Sequence, residues 1–110
     1  MPYIYLNIME FIEAPLFTRL IYDYMDDTEY SAFQIGLASR PEAGDVIPGS
    51  GGVRKIRWNA KGKGKRGGLR IIYYWRNKKN EIWLLTVYAK SEAENIPLSI
   101  LREIRREIEK

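Results

Sequence analysis

Residues 54–75 read RKIRWNAKGKGKRGGLRIIYYW: a basic strand, a Lys/Gly-rich loop and an aromatic strand headed by an arginine. Between Val46 and Asn80 there is no acidic residue, although this segment holds 11 of the 18 Lys and Arg of the chain. The formal charge of +4 therefore combines +11 in this segment with −7 in the rest. Such separation predicts a phosphate-bearing polymer as partner. The alternative is a solvated basic hairpin without a ligand.

The composition limits the chemistry. A chain of 110 residues is expected to form one domain, 1–110, with residues 1–8 as a candidate N-terminal extension. The sequence contains neither Cys nor His, which removes disulfides, thiolate metal sites and histidine acid–base catalysis. We therefore expect no metal and no cofactor. No apolar run is long enough for a membrane span and the N-terminus lacks a signal-peptide pattern, so the cytoplasm is the expected compartment.

Hydrophobic periodicity predicts an α+β domain with the order strand-helix-helix-strand-strand-strand-helix. Pro15 suits a first helical turn, Asp26 followed by Glu29 suits the start of a second helix, and Asn95 can cap the last one. The predicted strands are residues 9–13, 53–58, 69–76 and 82–89. We expect a small antiparallel-rich sheet with helices on one face.

Side-chain alternation indicates which strand residues share a face. Arg70, Ile72 and Tyr74 should lie on one side, and Thr86, Tyr88 and Lys90 on one side opposite Leu85 and Val87. If the helices cover only one face, the other presents a cationic floor with aromatic walls, which suits RNA because cations bind phosphate and rings stack on splayed bases. This face would contain Arg70, Tyr88 and Lys90, with Lys61, Lys63, Lys65 and Arg66 on the loop at its rim.

The same surface could cleave RNA. Attack by the 2′-hydroxyl needs a base, cations for the crowded phosphate and a proton for the leaving oxygen. Without His, a lysine crowded by other cations is the best base, because like charges lower its pKa; Lys61 and Lys63 have such neighbours. Arg70 suits the phosphate, because its planar fork can bind two oxygens. The residues alone leave binding without catalysis open, whereas the GKGKRGG segment lacks the Ser or Thr of a P-loop.

Three blocks carry a family resemblance: GDVIPGSGGVRKIRW, GKGKRGGLRIIYYW and LLTVYAKSE. In this order they resemble the RelE-like toxins of bacterial toxin–antitoxin pairs, and specifically their HigB branch, over about residues 9–110. The resemblance implies an α+β toxin that enters the ribosomal A site, contacts ribosomal RNA and cuts mRNA through the 2′-hydroxyl without a metal. It also implies a cognate antitoxin, in this branch a helix-turn-helix HigA-type protein.

When residues are matched by position, the resemblance implies roles for several of them. Arg70 would stabilise the phosphate, Lys61 or Lys63 would be the base, and Lys90 would lie near the leaving group. The residues implied in RNA contact are Arg54, Arg57, Lys65, Arg66, Tyr74 and Tyr88, with the two tyrosines as candidates for stacking. The last helix has no tyrosine, unlike family members with a catalytic tyrosine there.

Two other functions fit the sequence. A gyrase-poisoning toxin of the related ParE type would share the scaffold and lack the ribonuclease residues. A non-catalytic RNA- or DNA-binding module would use the same charge, and the absence of a dedicated proton-transfer residue is consistent with it.

Overall fold

The computed structural model describes residues 8–59, 68–92 and 96–110. Short 3₁₀ turns follow the first helix, at Ile21–Asp23, and the fourth strand, at Asn77–Lys79. No helix in the described part of the chain combines the length and apolarity needed to cross a membrane. In chain order, its strands and helices are β1 (Glu10–Glu13), α1 (Pro15–Leu20), α2 (Asp27–Ser39), β2 (Asp45–Val46), β3 (Arg54–Trp58), β4 (Leu69–Arg76), β5 (Glu81–Ala89) and α3 (Leu98–Ile108).

The strands form one sheet in the order β1-β5-β4-β3-β2. Strand β1 runs parallel to β5, and the other neighbouring strands are antiparallel. The predicted α+β class is confirmed, and the predicted elements occur in the predicted order. The two-residue strand β2 is an addition, since no alternation in so short a segment marks it.

Local sequence signals explain several of the element ends. Pro15 occupies the first turn of α1, where its missing N–H costs nothing. Asp26 caps α2, since its side chain accepts a hydrogen bond from the Glu29 N–H at 2.8 Å. Asn80 adopts the left-handed conformation that closes the β4–β5 hairpin. Asn95, the predicted cap of α3, lies outside the described residues, and Pro97 is the residue that precedes this helix.

Helices α1 and α2 pack on one face of the sheet. The side chains of this core are almost fully buried, and they alternate along β4, as expected for one face of a strand. The core includes Phe17, Ile21, Met25, Tyr30, Phe33 and Leu37 from the helical part and Leu69, Ile71, Tyr73, Ile82, Leu84 and Val87 from the sheet.

Helix α3 packs on the opposite face. Its residues Leu101 and Ile108 form a second core with strand residues that include Val53, Ile72 and Tyr74. The expectation that the helices lie on one face is therefore wrong for α3. The physical reason is that β4 is apolar on both sides, and both sides must be shielded from water.

A β-bulge breaks the alternation predicted for β5. Ile72 pairs with Thr86 and Tyr73 pairs with Leu84, which leaves Leu85 as the extra residue between them. Leu85 consequently belongs to the α3 core instead of sharing the face of Val87. The bulge shifts the alternation by one residue, so that Val87 and Ala89 after it face the α1–α2 core.

Buried hydrogen bonds fix the loop between α2 and β2. The Tyr73 hydroxyl donates to the Pro41 carbonyl oxygen at 2.6 Å and accepts from the Gly44 N–H at 2.9 Å. A Cβ at Gly44 would approach the Tyr73 ring to 2.9 Å, so this position has no room for a side chain. Tyr73 therefore positions Asp45, which starts β2.

We expect Tyr73→Phe to lower the free energy of unfolding by about 1–3 kcal/mol, because it leaves a buried N–H and carbonyl without their partner. Tyr22→Phe is the matched control, since Tyr22 is 53% exposed and should change stability by less than about 0.5 kcal/mol. Urea denaturation of both variants measures the difference. Equal midpoints for the two variants would show that the Tyr73 hydroxyl does not hold this loop.

Candidate nucleic-acid interface

Arg57, Arg70 and Tyr88 form a row across three strands. Arg57 on β3 is the register partner of Arg70 on β4, which is in turn the partner of Tyr88 on β5. Directly opposite residues project from the same face of a sheet, with Cβ atoms about 5 Å apart. Arg57 is exposed, and Arg70 and Tyr88 are half-buried.

The row lies on the α3 face, beyond the part that α3 covers. On β3 this face passes from buried Val53 beneath α3 to Lys55 and then to Arg57. On β4 it passes from Tyr74 and Ile72, which pack beneath α3, to Arg70. The sheet therefore changes from apolar to cationic along two neighbouring strands.

A groove of about 550 Å³ opens at this cationic end. Lys55, Arg57 and Arg70 provide its positive charge, and among the described residues one carboxylate lines it, that of Asp45, the register partner of Lys55. The excess of cations makes the groove suitable for an anionic ligand larger than a single ion. Its full lining is Ala43, Asp45, Lys55, Ile56, Arg57 and Arg70.

The Arg57–Arg70 pair opposes two like charges on adjacent strands. Such pairs destabilise a sheet, and a guanidinium cannot lose its proton to relieve the repulsion. Arg70 donates one hydrogen bond to the Leu69 carbonyl oxygen at 3.3 Å, and neither arginine is paired with a carboxylate of the described residues. A phosphate bound between the two guanidinium groups would neutralise this repulsion and accept their hydrogen bonds.

Lys90 lies at the end of β5, next to the glycine that follows the Lys/Gly loop. Its backbone N–H donates to the Gly68 carbonyl oxygen at 3.1 Å, and its side chain is exposed. The predicted loop residues themselves, Lys61, Lys63, Lys65 and Arg66, lie outside the described residues.

Glu92 anchors the turn that carries Lys90. One carboxylate oxygen accepts a hydrogen bond from the Tyr24 hydroxyl at 2.7 Å and another from the Ala89 N–H at 2.6 Å. Burial, followed by the hydrogen bond to Glu92, raises the pKa of Tyr24 to about 12. The hydroxyl consequently stays protonated at neutral pH and continues to donate to Glu92. This contact joins the end of β5 to the segment that follows α1.

Among the described residues, no group of three or more carboxylates is arranged to hold a metal ion. The described part of the interface therefore offers guanidinium, ammonium and phenol groups to a ligand.

No protein-family model matches the chain. Its structure is similar to solved Escherichia coli toxin structures. With a chain of the intact RelBE toxin–antitoxin complex, the TM-score is 0.55 at 15% identity, covering 78% of this chain and 100% of that chain. With the isolated RelE toxin, the TM-score is 0.53 at 14% identity, covering 92% of this chain and 99% of that chain. With a free RelE mutant in which two arginines are replaced by alanine, the TM-score is 0.54 at 16% identity, covering 88% of this chain and 96% of that chain.

This chain shares the fold of the toxin RelE. At 14–16% identity the similarity concerns the fold alone. Assignment to the HigB branch stays a prediction.

On this RelE-like fold, two of the predicted RNA-binding residues lie away from the row. Arg54 is three positions from Arg57 and so points to the other face; it donates to the carbonyl oxygens of Gly44 at 2.7 Å and Glu42 at 3.1 Å. Arg54 thus supports the same loop as Tyr73, and we remove it from the candidate RNA contacts.

Tyr74 is also removed from the stacking candidates. It is only 7% exposed beneath α3, its hydroxyl donates to the Glu109 carboxylate, and the Arg105 guanidinium carbon lies 6.0 Å from its ring centroid. Burial is the first cause of its raised pKa. A base has no access to a ring covered in this way.

Sequence reasoning missed three residues that the structure places at or near the interface. Lys55 and Asp45 line the groove, and Glu92 holds the adjacent turn. Alternation along β3 was a signal for Lys55, because residues 55 and 57 share a face. No local pattern marks Glu92, whose partner Tyr24 is 68 positions away in the chain.

The Tyr24–Glu92 contact predicts a pH dependence. Because the folded state raises the Tyr24 pKa from 10.0 to about 12, its contribution to stability is fully present below pH 10 and is lost as the pH rises through about 12. Tyr24→Phe should therefore flatten the decline of the free energy of unfolding between these values. Denaturation of both proteins across this range measures the effect; the other tyrosines occur in both proteins. Parallel declines would contradict the proposed linkage.

Proposed function

We propose that this protein is a RelE-type toxin that cleaves mRNA on the ribosome through the 2′-hydroxyl of the RNA, without a metal. The observation that carries the proposal is the Arg57–Arg70 pair, which lies beside Tyr88 on a RelE-like fold and has no carboxylate partner among the described residues. Two opposed guanidinium groups are a site for a phosphodiester, and the adjacent ring is suited to a base.

Binding would begin with the RNA backbone. Arg57, exposed at the outer side of the row, would meet one phosphate, while Arg70 would hold the scissile phosphate through its planar fork. Tyr88 would stack on a neighbouring base, and Lys55 would add charge to the groove floor. RNA bases are accessible to such stacking only when they are unpaired, as in a message held open in a ribosomal decoding site.

The chemical step would be a transesterification. A lysine of the loop, Lys61 or Lys63, would take the 2′-hydroxyl proton as its oxygen attacks phosphorus. The bond from phosphorus to the 5′ oxygen would break, giving a 2′,3′-cyclic phosphate and a 5′-hydroxyl. Arg70 would stabilise the charge on the pentacoordinate phosphate, and Lys90 would protonate the leaving 5′ oxygen. Lys65 and Arg66 would hold flanking phosphates or ribosomal RNA.

The proposal includes a cognate antitoxin and a cytoplasmic site of action, where translation occurs. The similarity to a chain of a toxin–antitoxin complex supports an antitoxin partner. By the sequence resemblance to the HigB branch, we propose a helix-turn-helix protein of the HigA type. Its acidic side chains would neutralise the cationic groove.

We expect the purified protein to cut ribosome-bound mRNA in the presence of EDTA and to leave free mRNA largely intact. Arg70→Ala should reduce the cleavage rate by about 10²–10³-fold, the loss typical of removing one transition-state hydrogen-bond donor. Lys78→Ala is the control, because Lys78 belongs to the same basic segment but lies past the opposite end of β4. Circular dichroism verifies that both variants fold.

Normal cleavage by folded Arg70→Ala would refute the assigned site. Binding of RNA with no cleavage on ribosomes would identify a non-catalytic module. Inhibition of gyrase supercoiling with intact translation would identify the ParE-type activity.

RNA binding can be tested separately from cleavage, through the salt dependence of the affinity. For a single strand, each phosphate contact contributes about 0.7 to the steepness of log affinity against log salt concentration, so Arg57→Ala should make this slope shallower by about 0.7. Lys79→Ala, in the distant turn after β4, should leave the slope unchanged. Fluorescence anisotropy over a salt series provides the measurement, and equal slopes for wild type and Arg57→Ala would exclude Arg57 from backbone contact.

A further inference from the structure

A second groove, of about 450 Å³, lies between α3 and the start of α1. Its floor is formed by Trp83 and Leu85 of β5, and one wall by Ala14 and Pro15. Within residues 8–59, 68–92 and 96–110, it shares no lining residue with the cationic groove. Its volume lies within the range of about 300–1,000 Å³ that is usual for binding sites.

Hydrogen bonds within the protein fix the floor of this groove and satisfy its polar groups, so the surface that faces the groove is apolar. The Trp83 indole N–H donates to the Glu81 carboxylate at 3.0 Å, and this carboxylate also lies 3.5 Å from the Arg76 guanidinium. On the other wall, the Ala14 N–H donates to the Leu84 carbonyl oxygen at 2.9 Å. Because these polar groups are paired within the protein, what Trp83 offers the groove is its ring.

Helix α3 presents two different apolar sides. Leu101 is buried in the core with the sheet, whereas Ile100, with 47% of its surface exposed, lines the groove. Residues spaced by three and four positions form one stripe of a helix. The groove side of α3 consists of Ile100, Glu103, Ile104, Glu107 and Ile108.

The charge of this groove is opposite to that of the RNA interface. In the described part of the chain, its charged lining residues are Glu13, Glu103 and Glu107. Both carboxylate oxygens of Glu13 accept hydrogen bonds within the protein, from the Thr18 hydroxyl at 2.7 Å and the Tyr30 hydroxyl at 2.6 Å, so Glu103 and Glu107 are the carboxylates that this groove offers to a ligand. Glu103 pairs with Arg106 and Glu107 with Lys110, but these pairs are largely exposed, and exposed ion pairs contribute little. The rim therefore disfavours RNA and anionic lipid, and it favours a cationic ligand with an apolar side.

We propose that this groove docks an amphipathic helix of a partner protein, with its apolar stripe in the groove and Lys or Arg residues beside the Glu103 and Glu107 carboxylates. An apolar groove is the usual receptor for such a helix, which inserts residues at positions i, i+3, i+4 and i+7. The inference goes beyond the proposed function, because it depends on neither RNA binding nor cleavage.

The probe is a designed, fluorescently labelled peptide of about five helical turns with Leu at i, i+3, i+4 and i+7 and Lys on both sides of the stripe. A second peptide carries Glu at the Lys positions. Fluorescence anisotropy with the full chain should show at least tenfold tighter binding of the Lys peptide. Ile100→Asp should weaken this binding at least tenfold. Leu98→Asp is the matched control, because Leu98 is 40% exposed on the same helix but does not line the groove.

The double variant Glu103→Lys, Glu107→Lys tests the charge assignment. It should reverse the preference, so that the Glu peptide binds more tightly, while circular dichroism shows an intact helix content. These variants should also cleave ribosome-bound mRNA like wild type, which separates this test from that of the RNA site. Equal binding of both peptides, or unchanged binding by Ile100→Asp, would overturn the proposal. So would a dimer of the protein alone that Ile100→Asp dissociates, since a second copy would then occupy the groove.

Discussion

Strand β4 imposes the constraint from which the architecture follows. Ile71 and Tyr73 point to one side of it and Ile72 and Tyr74 to the other, and all four are buried. A strand of this kind is stable only between two apolar layers. Helices α1 and α2 supply one layer, and α3 supplies the other. The β5 bulge at Leu85 shifts the alternation of the neighbouring strand, which places Val87 and Ala89 in the first layer.

The interface arises where this double burial ends. Arg70 follows Tyr74 and Ile72 on the α3 face, and Arg57 lies opposite it on β3. A sheet that only needed stability would place an acidic or neutral residue at one of these positions, since opposed like charges are unfavourable. The buried part of β4 fixes the backbone beneath Arg70, so the two guanidinium groups cannot move apart through a change of register. A bound phosphate is the direct way to offset their repulsion.

Sequence patterns predicted the parts of the molecule that depend on local chemistry. The bounds of β4 and the Asp26 cap of α2 are confirmed, because continuous apolar character and a side-chain cap are encoded within a few residues. Long-range packing decided the rest. Helix α3 covers Tyr74 and so keeps it out of the interface. Alternation along β3 places Arg54 on the other face of the sheet from Arg57. The alternation of β3 was available in the sequence. The continuous apolar run of β4 also indicated that both of its faces are covered, but it does not identify α3 as the element that covers the second face.

The separation of charge in the sequence has a spatial counterpart on the α3 face. The acid-free segment supplies the cations of one groove, and two acidic residues outside that segment, Glu103 and Glu107, supply an edge of the other. Helix α3 covers the middle of the sheet with Leu101, and its residues Ile100 and Ile104 form a wall of the acidic groove. Because the grooves share no lining residue in the described part of the chain and attract opposite charges, occupation of one does not require displacement of the ligand of the other. A basic helix and an RNA strand would each be repelled from the other's site.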